Sequence, residues 1–135
     1  MSRSHFLITA CLSIGVAIAM PAGAQSAASG AAPHLIVVRL VDRPGSNQFA
    51  FEPTNFTAQR GDTLRFVQAS VAMHNVHFKT QPAGANLGRA VTSRYLSAKG
   101  QEVTIVVDSR FSNGKYEIVC EPHNLMGMHG FLTVQ

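Results

Sequence analysis

From residue 34 onward the chain is a succession of strand-length β-branched and aromatic runs cut by turn residues, and no stretch has the length or period of an amphipathic helix. Leu35 to Val41 (LIVVRLV) is the first run, and Asp42 to Asn47 follows as a turn by composition. Phe49, Phe51 and Phe56 then cluster around Pro53, and Gly61-Asp62 is a second turn. Thr63 to Gln68 alternates, with Leu64 and Phe66 on one side of a strand. His74 to Phe78, Glu102 to Val107, Tyr116 to Cys120 and Gly130 to Val134 complete the set. In the third of these, Tyr116, Ile118 and Cys120 share one face. Ser112-Asn113-Gly114 is a hairpin signal. Between Lys79 and Gly100 the pattern leaves the fold open: Gln81 to Asn86 is loop-like, and Arg89 to Leu96 fits helix or strand. About seven short strands with frequent turns predict an all-β sandwich or barrel. There is no internal repeat or linker, so residues 34–135 are expected to form a single domain.

The N-terminus predicts export. Arg3 and His5 precede an apolar run from Phe6 to Met20, Pro21 ends it, and Ala22-Gly23-Ala24 supplies small residues before Gln25. That is the order of a secretory signal peptide, expected over residues 1–24. The run is shorter than the ~20 residues of a spanning helix, so no membrane span is expected in the mature chain. Ile8 to Cys11 resembles a lipoprotein cleavage box but lies too early in the apolar run. Residues 25–33, mostly Ala, Ser and Gly, read as a flexible leader.

Removing 24 of the 135 residues leaves 111, and losing Arg3 takes the net charge from +4 to +3. The basic residues are scattered, so the footprint of a nucleic-acid binder is missing. Of the two cysteines, Cys11 leaves with the signal and Cys120 stays. A single thiol in an oxidising compartment cannot form an internal bridge and needs another form of protection. A metal–thiolate bond would supply it.

Cys120-Glu-Pro-His123-Asn-Leu-Met-Gly-Met128 places three candidate donors on one loop between two strands, and His74 adds a fourth from a separate segment. Taken alone, a buried cysteine is inert packing and a histidine is an ordinary core or surface residue. Together, a thiolate, two imidazoles and a thioether form the donor set of a blue-copper centre: His₂Cys in a plane with a distant methionine. Soft sulfur suits Cu(I), and imidazole serves both oxidation states. Met126 and Met128 are both candidates for the fourth donor. His77 and His129 should point away from the site, by strand alternation from His74 and by adjacency to Met128. His34 has no assigned role.

The C-x2-H-x4-M run, followed by Gly130 and the strand Phe131-Leu-Thr-Val134, resembles the cupredoxins, and is most similar to their plastocyanin and pseudoazurin branch. Met73-His74-Asn75-Val76 resembles that family's first-ligand segment, and Phe51-x-Pro53, Gly61-Asp62 and Tyr116-x3-Cys120 resemble its scaffold. The resemblance covers roughly Leu35 to Gln135. It implies a Greek-key β-sandwich of seven to eight strands and one type 1 copper held by His74, Cys120, His123 and Met128. Met128 fits the longer ligand loop of this branch, whereas Met126 would give the short loop of the amicyanin branch and is expected as apolar cover instead. It further implies that His123 reaches the surface and gives the electron its exit, with Asn124, Leu125, Met126 and Phe131 as an apolar surround.

One position departs from the family. Where Ser or Thr commonly follows the cysteine and bonds to the Asn after the first His, this chain has Glu121. The expectation is that the Asn75 amide donates to the Glu121 carboxylate and fastens the loop to the His74 segment. The function that follows is that of a periplasmic, monomeric, non-enzymatic electron carrier, docking transiently with redox proteins such as a cytochrome or a copper enzyme. A copper storage or delivery protein is the alternative, though such proteins tend to use open Met- and His-rich clusters. A multicopper enzyme would need a second set of His ligands and a second domain.

Overall fold

A computed structural model describes residues 32–43 and 48–135. The expected signal peptide, the leader up to residue 31 and the turn at 44–47 lie outside the described residues. Eight strands form: β1 (Leu35–Asp42), β2 (Phe49–Glu52), β3 (Asn55–Ala58), β4 (Thr63–Gln68), β5 (His77–Thr80), β6 (Glu102–Val106), β7 (Gly114–Val119) and β8 (His129–Val134). They make two four-stranded sheets, ordered β2-β1-β4-β6 and β3-β8-β7-β5. The expected β-sandwich is what forms.

Alternation decides which side chains enter the space between the sheets. In β4, Leu64, Phe66 and Gln68 are buried while Thr63, Arg65 and Val67 are partly exposed. In β8, Gly130, Leu132 and Val134 face inward in the same way. The core they meet carries two aromatic groups. Phe66 stands edge-on to Phe51 and Phe56, at 6.4 and 6.2 Å between centroids. Phe78, Phe111 and Tyr116 form the other, 5.5–6.0 Å apart. Each fully buried Phe side chain contributes ~1.5–3 kcal/mol by leaving water.

The structure departs from the sequence expectation in two places and gives form to one segment that the sequence left open. Asn113-Gly114 does not close a hairpin: β6 pairs with β4 and β7 with β5 and β8, so the turn carries the chain from one sheet to the other. Gly114 is required there by its φ of +136° and by Pro82, whose Cβ would lie 2.8 Å from any added Cβ. The 79–100 segment forms one short 3₁₀ helix, Gly88–Val91, with Leu87 and Leu96 as buried anchors. The strand expected at His74 begins only at His77. His74 instead makes an isolated two-bond bridge with Leu96, at 3.1 and 2.7 Å.

The turn before β4 is fastened by Asp62. Its carboxylate accepts from the amides of His34 at 2.8 Å and Gln59 at 2.7 Å. Burial alone would raise this carboxyl's pKa, but those hydrogen bonds outweigh it and hold the group below its usual value.

Candidate metal centre

β7 stops at Val119 because the next residues are committed elsewhere. The Cys120 amide donates to the Met128 carbonyl at 3.2 Å, and Pro122 opens a 3₁₀ helix over Glu121–Met126. Gly127 ends that helix with a φ of +85°, a left-handed conformation that a glycine adopts without strain. The chain thereby folds back, and the Met128 amide reaches the His123 carbonyl at 3.1 Å. This loop joins β7 to β8, and His74 lies three residues before β5, the other neighbour of β7.

Three donor atoms converge as a result. Cys120 Sγ is 3.5 Å from His74 Nδ1 and 3.4 Å from His123 Nδ1, and the two nitrogens are 3.1 Å apart. A point equidistant from all three lies about 1.9 Å from each, close to the ~2.0–2.3 Å of metal–imidazole and metal–thiolate bonds. One metal ion therefore fits between them. Met128 is fully buried beside these residues, whereas Met126 is 53% exposed. The two methionines of the loop thus differ in access to the centre.

The electrostatics suit a cation. Burial pushes the Cys120 thiol up from its ordinary pKa, against backbone hydrogen bonds from Asn75 and His123. Without metal the sulfur keeps its proton at neutral pH, and metal binding must displace it. Burial, then the neighbouring His74, pushes His123 down, so its imidazole is neutral and free to coordinate.

Around the donors lies a layer of supporting contacts. The Asn75 amide donates to Glu121 Oε2 at 2.6 Å, and the Glu121 backbone N–H donates to Asn75 Oδ1 at 2.8 Å. Tyr95 adds a hydroxyl bond to the same Glu121 oxygen at 3.3 Å. His77 is not among the converging donors: its Nδ1 lies 2.6 Å from the Thr92 hydroxyl oxygen and 3.6 Å from Glu121 Oε1, and His129 turns to Glu117 at 2.8 Å. Two contacts were not visible in the sequence. His74 Nε2 is 2.8 Å from Asp42 Oδ1, and the Phe49 ring stacks on His123 at 3.7 Å and 13°. Asp42 and Phe49 are partners across the β1–β2 ladder, so the first sheet reaches both imidazoles from one register position.

At the surface, His123 is the most accessible donor, at 9%, and Leu125, Met126, Val71 and Met73 are exposed on the loops that carry the site. Phe131 does not join them. It lies on the outer face of the second sheet under the Lys115 ammonium, 4.1 Å from its ring centre, beside a hollow of about 350 Å³ that it lines with Thr80, Lys115 and Glu117.

Residues 39–135 match the model of copper binding proteins of the plastocyanin/azurin family. The chain is 37% identical over 90 residues to plastocyanin from Nostoc punctiforme, covering 64% of this chain and 65% of that protein. It is 35% identical over 92 residues to plastocyanin from Scenedesmus fuscus, covering 67% and 91%. Among solved structures, oxidised plastocyanin from Dryopteris crassirhizoma aligns with a TM-score of 0.60 at 29% identity, over 73% of this chain and 99% of that one. A pseudoazurin from Sinorhizobium aligns with a TM-score of 0.57 at 28% identity, over 76% and 74%. With a two-sheet sandwich, a converging Cys-His-His cluster and these relatives, the chain belongs to the plastocyanin/azurin family of copper binding proteins.

Proposed function

We propose that the chain is an exported type 1 copper protein that carries single electrons between redox proteins, with the metal held by His74, Cys120, His123 and Met128. The observation that carries this reading is the convergence of His74 Nδ1, His123 Nδ1 and Cys120 Sγ to within 3.1–3.5 Å of one another. Bound copper supplies a Cu(II)/Cu(I) couple, and so a place for one electron. The protein's own part is to hold the donors still. Glu121 and Asn75 fasten the ligand loop to the His74 segment, Gly127 sets the return toward Met128, and Phe49 covers one face of His123. A site fixed in this way changes little when the electron arrives or leaves.

The rest of the reading follows from surface and sequence. His123, with exposed Leu125 and Met126 nearby in sequence, offers a small apolar face for brief contact with a partner such as a cytochrome or a copper enzyme. The segment 1–24 would direct export to the periplasm, 25–33 would be the leader, and 34–135 the copper-binding domain, acting as a monomer without enzymatic activity. Among the described residues no helix is long and apolar enough to cross a membrane. The test is the visible spectrum of the Cu(II)-loaded chain before and after ascorbate. An intense band near ~600 nm that bleaches on reduction is expected from a Cys120–copper bond. A colourless protein would overturn the reading and favour copper storage or delivery.

A further inference from the structure

Asp42 closes β1, thirty-two residues before His74, and is held in place by more than its own strand. Its Oδ2 accepts from the amides of Val71 at 3.1 Å and Ala72 at 2.8 Å, and its own amide donates to Ser70 Oγ at 2.7 Å. The loop just before His74 is thereby wrapped around one carboxylate. The remaining oxygen, Oδ1, meets His74 Nε2 at 2.8 Å, and the His74 ring is fully buried. A carboxylate accepts only, so the shared proton belongs to Nε2 and the lone pair of Nδ1 is left facing Cys120 and His123.

We infer that Asp42 is a positioning residue for the copper centre: its carboxylate fixes the tautomer and orientation of His74, strengthens Nδ1 as a donor, and biases the site toward Cu(II). The inference rests on the copper reading above. An anion behind a ligating imidazole raises its basicity and stabilises the more highly charged metal state. The carboxylate is only 24% exposed, so water screens it incompletely. Its effect should exceed that of Glu121, whose side chain is 40% exposed.

The experiment measures the midpoint potential of the copper-loaded full chain by spectroelectrochemical titration, for the native sequence, Asp42→Asn, Asp42→Glu and Asp108→Asn. Asp108 follows β6 at the other end of the sandwich, where Val106 pairs with Thr63 and Thr63 with Leu35. Loss of such a partner weakens metal binding about 10–100-fold. Falling on Cu(II), that loss raises the potential about 59 mV per tenfold. Asp42→Asn should show this rise with the blue band retained, Asp42→Glu should recover part of it, and Asp108→Asn should not move. A potential unchanged in Asp42→Asn, whether or not thermal stability falls, would assign Asp42 to the loop alone and overturn the inference. No blue band in the native chain would overturn the copper reading and this inference with it. A metal-free measurement stands beside these: long-range proton–nitrogen NMR of the native chain should show His74 protonated at Nε2. A ring protonated at Nδ1 would overturn the inference without any variant having to fold.

Discussion

At the scale of single residues, Glu121 gives the first prediction. Its carboxylate accepts a hydrogen bond from the Asn75 amide at 2.6 Å, next to the thiolate that would bind copper. Glu121→Thr keeps an acceptor but removes the charge, so the reduction potential should rise, by less than in Asp42→Asn. An unchanged potential would leave Glu121 as a loop fastener only. The two methionines give the second. Met128 is fully buried and Met126 is 53% exposed, so Met126→Leu should leave the visible spectrum as it was. Met128→Leu should alter both spectrum and potential, and the reverse pattern would transfer the fourth-donor role to Met126. The candidate donors stand out in the sequence because Cys120, His123 and Met128 fall within nine residues, so spacing alone gathers them on one loop. Asn75 and Glu121 were within reach of sequence because each adjoins a candidate donor. Asp42 and Phe49 were not, since their contacts depend on the register of β1 against β2 and on where the chain places the 70–72 loop.

At the scale of elements, Tyr116 on β7 offers a test of how the strand ahead of the site is anchored. Its hydroxyl accepts from the Ser112 amide and donates to the Ser112 carbonyl, both at 2.8 Å, and its ring lies fully buried against Phe78 and Phe111. Tyr116→Phe leaves both backbone groups short of a partner, which should cost about 1–3 kcal/mol in denaturant titration. Burial also raises the phenol's pKa above 10.0, so the folded chain holds this proton more tightly than the unfolded one. The resulting stability is complete below the unfolded value and is lost as pH rises through the folded value. Tyr116→Phe should remove that alkaline loss; an alkaline profile identical to the native one would contradict the assignment. The strands themselves were readable as β-branched and aromatic runs cut by turn residues, and in β4 Leu64 and Phe66 alternate with Thr63 and Arg65. Which strands would pair was not. β1 runs parallel to β4 and β3 parallel to β8, and nothing local encodes a partner so far along the chain. Asn113-Gly114 misled for the same reason: Gly114 does take a positive φ, but it opens β7, and the strands before and after it belong to different sheets. The 79–100 segment gave no period because only Leu87 and Leu96 are fully buried hydrophobic anchors within it.

At the scale of the whole molecule, metal binding and folding should be coupled. The donors lie on two separate stretches, the entry to β5 and the β7–β8 connection, and they come together only when the second sheet is formed. The first sheet is drawn in through Asp42 on His74 and Phe49 on His123. The unfolded chain cannot present this arrangement, so copper binds the native state preferentially and stabilises it by mass action. With free copper at 100 times the dissociation constant the gain is about 2.7 kcal/mol. For a domain of this size, ~4–8 °C per kcal/mol makes that about 10–20 °C in melting temperature. Scanning calorimetry of the metal-free and copper-loaded chains should show this difference, and a chelator should abolish it. Cys120→Ser replaces the soft thiolate with a weak hydroxyl donor. It should melt close to the native metal-free chain and keep only a small part of the copper-induced gain. Equal melting temperatures with and without copper in the native chain would mean that the converging donors do not capture the metal in solution. A full gain retained in Cys120→Ser would mean that copper is held by other residues.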